Sequence, residues 1–279
     1  MAALADNLPP EKLGRAVGFI TASSWVGVAV GVPAIALLVY LGGWRLPFYI
    51  TGGLSLALWV PLYLCLPSGQ RRLGQSIDLL NRFMVLGRQS APWYVLIANA
   101  SQQMALFGLM TYFAAYMIES YGWDEARTAP GLALLGMGAV FGSFAGGFIA
   151  GRARRLEWLA VISLAGGAVT GLLFVLDVSA WIVVAMACVA SVLVSVSMPV
   201  QLTLIMHLAG QSRGTASGML STSNQFGSFV GASAGGLMLS LGGFPAVGLL
   251  YLFAAVLSAS VVGFIMRRSP TFRLEGKGT

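Results

Sequence analysis

Amide side chains inside long apolar stretches are the residues of this sequence most able to act on another molecule. The uncharged stretch 89–118 carries Asn99, Gln102 and Gln103. At 100° per residue on a helix, these amides share one stripe with Leu106, Met110, Phe113 and Met117. An unpaired amide in hydrocarbon costs several kcal/mol. The stripe is therefore expected to face either a neighbouring helix or a solute cavity.

Two later stretches add further amides. Gln201 follows a ribbon of serines within 178–212, and Asn224 and Gln225 lie together within 214–266. A few polar groups among Met and Phe suit an amphipathic organic solute, because the polar groups orient it and apolar groups supply most of the contact. The predicted substrate-binding residues are Asn99, Gln102, Gln103, Met110, Phe113, Gln201, Asn224 and Gln225. The alternative is that these side chains only bond helix to helix.

The sequence shows no pattern typical of an enzyme active site, a metal site or a cofactor site. The apolar stretches contain no Ser/His pairing, HExxH motif or paired carboxylates, and the two cysteines have no CxxC or metal-ligand spacing. We therefore expect no enzyme activity, no bound metal and no cofactor. Glu119 and Asp177 fall at the ends of their stretches, and His207 near the end of another. Protons stay an open possibility as coupling partners.

The composition requires a lipid environment for the elements that carry these residues. Of 279 residues, 57% are hydrophobic and 9% are charged, with a mean hydropathy of +0.83, far from a soluble domain. A membrane helix needs about 20 apolar residues. Uncharged intervals of that size lie at 16–44, 46–70, 89–118, 128–151, 158–176, 178–212 and 214–266. The turn signal Gly242-Gly243-Phe244-Pro245 divides the last interval, which predicts an all-α membrane protein of eight transmembrane helices.

The positive charges indicate the orientation. If loops alternate between the two sides, Arg45 and Arg127 face one side, and the other fourteen of the 16 Lys and Arg residues face the opposite side. This is the positive-inside pattern. It predicts an integral protein of the bacterial inner (plasma) membrane with both termini in the cytoplasm. Because the charges follow the loops, the net charge of +7 does not predict nucleic-acid binding, and lipid is the expected surrounding partner.

An internal repeat links two of the predicted helices. Residues 14–43 match residues 214–243 at a fixed offset of 200, with 12 identities in 30 positions. The repeat keeps Gly27 and Gly31 as Gly227 and Gly231. Glycines four apart let another helix approach closely, so these four residues are predicted to serve helix packing or rocking of two halves. Pro33 is expected to bend the first helix.

A parallel repeat of this length implies six-helix halves, a plan known among secondary transporters. The chain resembles the C-terminal two-thirds of a major facilitator superfamily transporter. ADNLPPEKLGRAVG at 5–18 and QSRGTASG at 211–218 are similar to the family's turns before its fifth and eleventh helices. The turn with Arg152, Arg154 and Arg155 resembles the family's basic cytoplasmic turn, with Gly151 in place of the acidic residue.

This resemblance implies a major facilitator fold with the first four helices missing. Residues 1–67 would hold the last two helices of the N-terminal half, 68–90 a cytoplasmic linker with an amphipathic helix, 91–268 a complete six-helix C-terminal half, and 269–279 a cytoplasmic tail. The expected function is transport of a small organic solute by alternating access. Efflux is slightly favoured over metabolite uptake. The rival expectation is a truncated membrane protein without transport activity.

Overall fold

The protein is all-helical in a computed structural model that describes residues 10–65, 84, 86–88, 90–151, 155–209 and 212–268. Its helices are α1 (Pro10–Gly42), α2 (Leu46–Cys65), α3 (Ser90–Tyr121), α4 (Glu125–Ala150), α5 (Arg155–Leu173), α6 (Ala180–Leu208) and α7 (Arg213–Arg268). Each helix occupies one of the predicted uncharged intervals or extends slightly beyond it, because charges collect in the connections.

Four helical stretches have the length and apolar composition needed to cross a membrane. They are Arg127–Ala150, Leu156–Leu173, Ala180–Leu208 and Gly214–Phe264. Many large apolar side chains point outward, as lipid-facing residues do; on α2 they include Leu54, Leu56, Trp59 and Leu64. The molecule is therefore an apolar helical bundle suited to a bilayer. The structure supports these four stretches as candidate membrane spans, and the total of eight spans stays a prediction.

The helix α7 consists of two segments that meet at the predicted glycine turn. Gly242 has φ −153° and ψ 20°, and Gly243 has φ 66° and ψ −163°. The left-handed φ of Gly243 is one that residues with a Cβ rarely adopt. Its repeat counterpart Gly43, after the end of α1, also has a positive φ, of 73°. Both copies of the repeat thus change direction at the same glycine.

Helix packing places α3 along the first segment of α7, α4 along α6, and α5 against α6 and α7. The helix α1 packs mainly on α4. Two large apolar clusters lie toward opposite ends of α3, one around Leu96, Leu159 and Leu204 and the other around Leu109 and Tyr251. A third, smaller cluster joins α1 to α3, α4 and α6.

Most of the predicted linker lies outside the described residues. Within 68–90 the structure describes only Met84, Leu86, Gly87, Arg88 and Ser90. Leu86 is buried in the first apolar cluster, whereas Met84 is exposed. The predicted amphipathic helix, the tail 269–279 and the boundaries of the two halves therefore stay predictions.

Candidate functional site

Asn99 uses its amide to hold α3 against α7. It is 1% exposed. Its Nδ2 donates to Ser223 Oγ at 3.1 Å and to Asn224 Oδ1 at 2.5 Å. Two of the predicted substrate-binding residues, Asn99 and Asn224, therefore bond each other across a helix interface. This contact gives them a packing function in the observed conformation.

Gln102 and Gln201 form a second bridge, inside the bundle. Gln201 Nε2 donates to Gln102 Oε1 at 2.8 Å, and Gln102 Nε2 donates to Ser163 Oγ. Ser163 in turn donates to the carbonyl oxygen of Leu159 at 2.5 Å. The two glutamines are 5% and 1% exposed. The bridge joins α6, α3 and α5, and Gln201 Oε1 is left as a buried acceptor to which no described residue donates.

Gln103 differs from the other two amides of α3. It is 6% exposed, and among the described residues no hydrogen bond satisfies its amide. Helical spacing places it one turn before Phe107 and two turns before Met110 on the same face. Its amide atoms are not among the fully enclosed ones without a partner, so the amide reaches accessible space, where it can bond water or a ligand. Of the three amides, Gln103 therefore fits a solute site best.

The surroundings of that face are apolar and come from four helices. The third cluster consists of Trp25 on α1, Leu106 on α3, Ala139 on α4 and Val194 on α6, with Phe107, Met110 and Val140 packed against it. The rings of Trp25 and Phe107 have centroids 6.2 Å apart. Since α1 precedes the predicted linker and the other helices follow it, this cluster lies where the two predicted halves meet.

Two other predicted residues lie away from that face. Phe113 is fully buried in the second cluster, and its ring carbon would stand 3.0 Å from a Cβ built on Gly131. Gln225 is exposed on α7. Helical spacing keeps Met110 on the face of Gln103, whereas Phe113 packs into the second cluster and Gln225 is exposed, because tertiary packing divides one helical stripe among several neighbours.

The glycine pair on α7 is closely packed, whereas the pair on α1 is open. A Cβ on Gly227 would lie 2.3 Å from the Ala100 carbonyl oxygen, and one on Gly231 would lie 2.4 Å from that of Met104. Around Gly27 and Gly31 no atom of the described residues lies within 4 Å of such a Cβ. Pro33 lies within α1, and its side chain is outside the described part of the structure.

The predicted charged features add little to this site. Arg152 and Arg154 are outside the described residues, and Arg155 is described only as the first residue of α5. Glu119 and Asp177 are exposed near helix ends. In the described ranges, His, Cys, Asp and Glu form no group of three that could hold a metal ion.

A glycine row on α4 was not among the predicted packing residues. A Cβ on Gly138, Gly142 or Gly146 would lie 3.0, 2.2 or 2.2 Å from a carbonyl oxygen of α6. The spacing of four residues was visible and matches that of the α7 pair. Ser143 on α4 and Ser195 on α6 have buried hydroxyls without a hydrogen-bond partner within the described ranges. No pattern in the sequence distinguished these two serines from the other serines of the chain.

Comparisons with known proteins agree on one family. The model described as Major Facilitator Superfamily matches residues 1–232. The chain is 27% identical over 252 residues to "Putative transporter AraJ" of Escherichia coli, covering 86% of this chain and 60% of that protein. It is 25% identical over 266 residues to "Inner membrane transport protein YdhP" of Escherichia coli, covering 94% and 65%.

A third relative carries a more specific name. The chain is 26% identical over 245 residues to "Probable sulfoacetate transporter SauU" of Cupriavidus necator, covering 77% of this chain and 56% of that protein. The chain thus spans between 56% and 65% of the length of these relatives.

Proposed function

The chain belongs to the Major Facilitator Superfamily, and we propose that it forms part of a secondary transporter moving a small organic solute across the membrane by alternating access. It is an integral membrane protein of apolar helices. We place it in the bacterial inner membrane with both termini in the cytoplasm, on the distribution of Lys and Arg along the sequence. Proton coupling is not part of the proposal.

One observation carries the proposal. Gln103, on the helix face that also carries Phe107 and Met110, is only 6% exposed as a residue, no described residue hydrogen-bonds its amide, and that amide is not among the fully enclosed polar atoms. Trp25 of α1 closes the same apolar cluster from the other predicted half. A site between two moving halves needs such a combination, since the apolar walls can separate and meet again while a single amide orients the solute.

The composition of the cluster favours a neutral, largely apolar solute. Its described members carry no charge, and an anion buried there would lack a cationic partner. SauU bears the name of a sulfoacetate transporter. For this chain we propose a neutral amphipathic solute instead, because the cluster offers the aromatic rings of Trp25 and Phe107, and the amide of Gln103 lies one helical turn before Phe107. Outward transport is the proposed direction: Gly27 and Gly31 have the spacing of the G-x-x-x-G-P core of the family's antiporter-type motif, although Val32 separates Gly31 from Pro33.

A second candidate is a membrane protein without transport activity. The chain spans 60% to 65% of AraJ and YdhP, and a cavity between two halves requires enough of both. This candidate is separated from the first by a flux measurement on the chain as it stands.

The test is flux of neutral aryl glycosides, such as phenyl glucoside, into liposomes containing the chain. The Gln103→Leu variant should lower flux about two- to tenfold, since one neutral hydrogen bond contributes about 0.5–1.5 kcal/mol. The matched control is Thr111→Val, which changes an exposed polar residue on the same helix whose hydroxyl bonds only the Phe107 carbonyl, at 2.7 Å. It should leave flux unchanged.

The outcomes separate the candidates. Flux equal to that of empty vesicles would remove the transport proposal for this chain and favour the second candidate. Flux that falls equally in the Gln103→Leu and Thr111→Val variants would remove the site. Flux that falls only in Gln103→Leu, with an unchanged yield of folded protein in the membrane, would support both the transport and the site.

A further inference from the structure

A groove between α3 and the first segment of α7 opens on the surface of the bundle and encloses about 350 Å³. The helix α3 contributes Trp93, Leu96 and Ile97, and α7 contributes Met219 and Phe226. Leu96 and Met219 are buried, whereas the other three are exposed, which places the buried pair at the base of the groove and the others at its rim. None of the described residues that line the groove is charged. Its walls favour a hydrocarbon chain, since a polar group there would lose its hydrogen bonds to water.

The groove faces away from the amide side chains of α3. Ile97 and Asn99 are two residues apart on this helix, so their side chains point about 160° apart. Asn99 bonds Asn224, and Gln103 follows Asn99 by one helical turn. The amides therefore lie on one side of the contact between α3 and α7, and the groove lies on the other side, where its exposed rim meets the bilayer.

The two helices that form the groove run parallel. Ser223 Oγ donates to the Leu96 carbonyl oxygen at 2.7 Å, and a Cβ on Gly231 would lie 2.4 Å from the Met104 carbonyl oxygen. The contacts thus advance by eight residues along both helices in the same direction. Both helices therefore begin at the same membrane surface, and the groove lies within about four helical turns of their first residues.

A cation and a tryptophan mark the end of the groove at that surface. Leu86 is buried in the first apolar cluster and holds the segment before α3 against the bundle. Trp93 Nε1 donates to the Gly87 carbonyl oxygen at 2.8 Å, so the indole at the rim contacts the residue next to Arg88. Arg88 is exposed. Tryptophan is typical of the headgroup level of a membrane, and a cation there attracts anionic lipid.

We propose that this groove binds an anionic phospholipid, with one acyl chain between α3 and α7 and the headgroup phosphate paired with Arg88. A transmembrane helix with its side chains is about 10 Å wide, too wide for a groove of about 350 Å³, whereas a single acyl chain fits. The apolar walls accept the chain, and Arg88 supplies the charge that selects the headgroup. The proposal rests on the membrane location of the protein and does not depend on the solute.

The experiment measures quenching of tryptophan fluorescence by brominated lipid. The purified full chain is placed in phosphatidylcholine vesicles that contain a small fraction of either phosphatidylglycerol or phosphatidylcholine with bromine on its acyl chains. The contribution of Trp93 is the difference between the parent chain and Trp93→Phe. Phosphatidylglycerol should quench Trp93 at about a fivefold lower mole fraction than phosphatidylcholine, equivalent to about 1 kcal/mol, the attraction expected from one arginine near the surface.

A charge variant tests the headgroup contact. Arg88→Gln should remove the preference of Trp93 for phosphatidylglycerol, because the phosphate loses its cationic partner. The matched control is Arg15→Gln, which removes an exposed cation on α1 whose guanidinium carbon lies 5.4 Å from the centroid of the Phe148 ring. This control should keep the fivefold preference.

A size variant tests the seat of the acyl chain. Thr222 is an exposed residue of the groove, and its hydroxyl bonds the Gly218 carbonyl of its own helix at 3.1 Å. Thr222→Phe should narrow the groove and lower the quenching of Trp93 by both lipids about threefold. The matched control is Ser221→Phe, at an exposed neighbour outside the groove whose hydroxyl also bonds only its own helix; it should leave quenching unchanged. If Thr222→Phe lowers the yield of folded protein, Ile97→Phe gives a second test.

Three results would overturn the proposal. Equal quenching of Trp93 by the two lipids would mean that no headgroup is selected. Equal loss of preference in Arg88→Gln and Arg15→Gln would mean that the charge acts over the whole surface and not at the groove. Quenching that Thr222→Phe and Ile97→Phe leave unchanged would mean that the acyl chain lies elsewhere. None of these results depends on solute flux, so they are distinguishable from failure of the proposed transport.

Discussion

Replacing a glycine by alanine at equivalent positions of the repeat should have opposite effects in α7 and α1. Gly227 and Gly27 are identical in the sequence repeat. In the structure a Cβ on Gly227 would lie 2.3 Å from the Ala100 carbonyl oxygen, whereas a Cβ on Gly27 would have no atom of the described part of the chain within 4 Å. Gly227→Ala is therefore expected to lower the stability of the purified chain, and Gly27→Ala is not.

The magnitude follows from the distance. Ordinary carbon contacts begin at about 3.4 Å, so α3 and α7 would have to separate locally by about 1 Å. Overpacking of this kind costs about 1–3 kcal/mol. Alanine stabilises a helix relative to glycine by about 1 kcal/mol. At Gly227 this gain offsets part of the overpacking cost, whereas at Gly27 there is no overpacking cost and only the gain applies. The two variants should differ by about 2 kcal/mol.

The assay is thermal unfolding in detergent, followed by the reaction of Cys188 with a thiol-reactive dye. Cys188 is a free, half-buried thiol, and Cys65→Ser removes the competing signal. A difference of about 2 kcal/mol corresponds to about 4–8 °C for a chain of roughly this size, with Gly227→Ala melting lower. Equal melting temperatures for the two variants would refute the close approach of α3 and α7.

Three further substitutions test other contacts, each by thermal unfolding. Gln102→Leu should destabilise the chain by about 1–3 kcal/mol, because it leaves the buried partners of the amide bridge unpaired; Gln225→Leu, on an exposed amide, should change little. Gly243→Ala should lower the stability by about 1–2 kcal/mol, because the φ of 66° at this position is unfavourable for alanine. The control Gly52→Ala, inside α2 with open space around it, should not lower the stability. Asp124→Ala should cost about 0.5–2 kcal/mol through loss of the N-cap bond from the Arg127 amide, at 2.7 Å.

Each expectation has a result that contradicts it. Equal effects of Gln102→Leu and Gln225→Leu would mean that the bridge between α3, α5 and α6 contributes nothing. A Gly243→Ala variant as stable as Gly52→Ala would mean that the break in α7 needs no left-handed residue. An Asp124→Ala variant that melts like the parent would mean that water replaces the cap without loss.

The amide side chains show how much of the candidate site could be predicted from the sequence. Their place on one stripe of α3 followed from spacing alone, as did the need for polar neighbours. The sequence did not reveal that Asn99 bonds α7 while Gln102 bonds α5 and α6. Neighbouring helices divide a stripe according to their crossing angles and distances, which no local pattern records. Gln103 can be distinguished from Asn99 and Gln102 only once the structure shows that those two amides have hydrogen-bond partners.

The glycines show the same limit of prediction from sequence. The repeat predicted equal roles for Gly27 and Gly227 because the two positions are identical in sequence. The structure gives them different surroundings, open on α1 and in backbone contact on α7. The row at Gly138, Gly142 and Gly146 had the same spacing and was overlooked. Spacing identifies a surface capable of close approach, but the approaching helix is a property of the assembly.

The sequence by itself determined that this chain is an apolar helical protein, where most of its helices begin and end, and that α7 breaks at Gly242 and Gly243. Those features depend on hydrophobicity and backbone freedom, which each short segment carries within itself. Only the tertiary structure decided which amide is left without a partner and which glycine row is covered. Those features depend on contacts between residues far apart in the sequence, such as Gln102 with Ser163 and Asn99 with Asn224, and they exist only once the helices have packed.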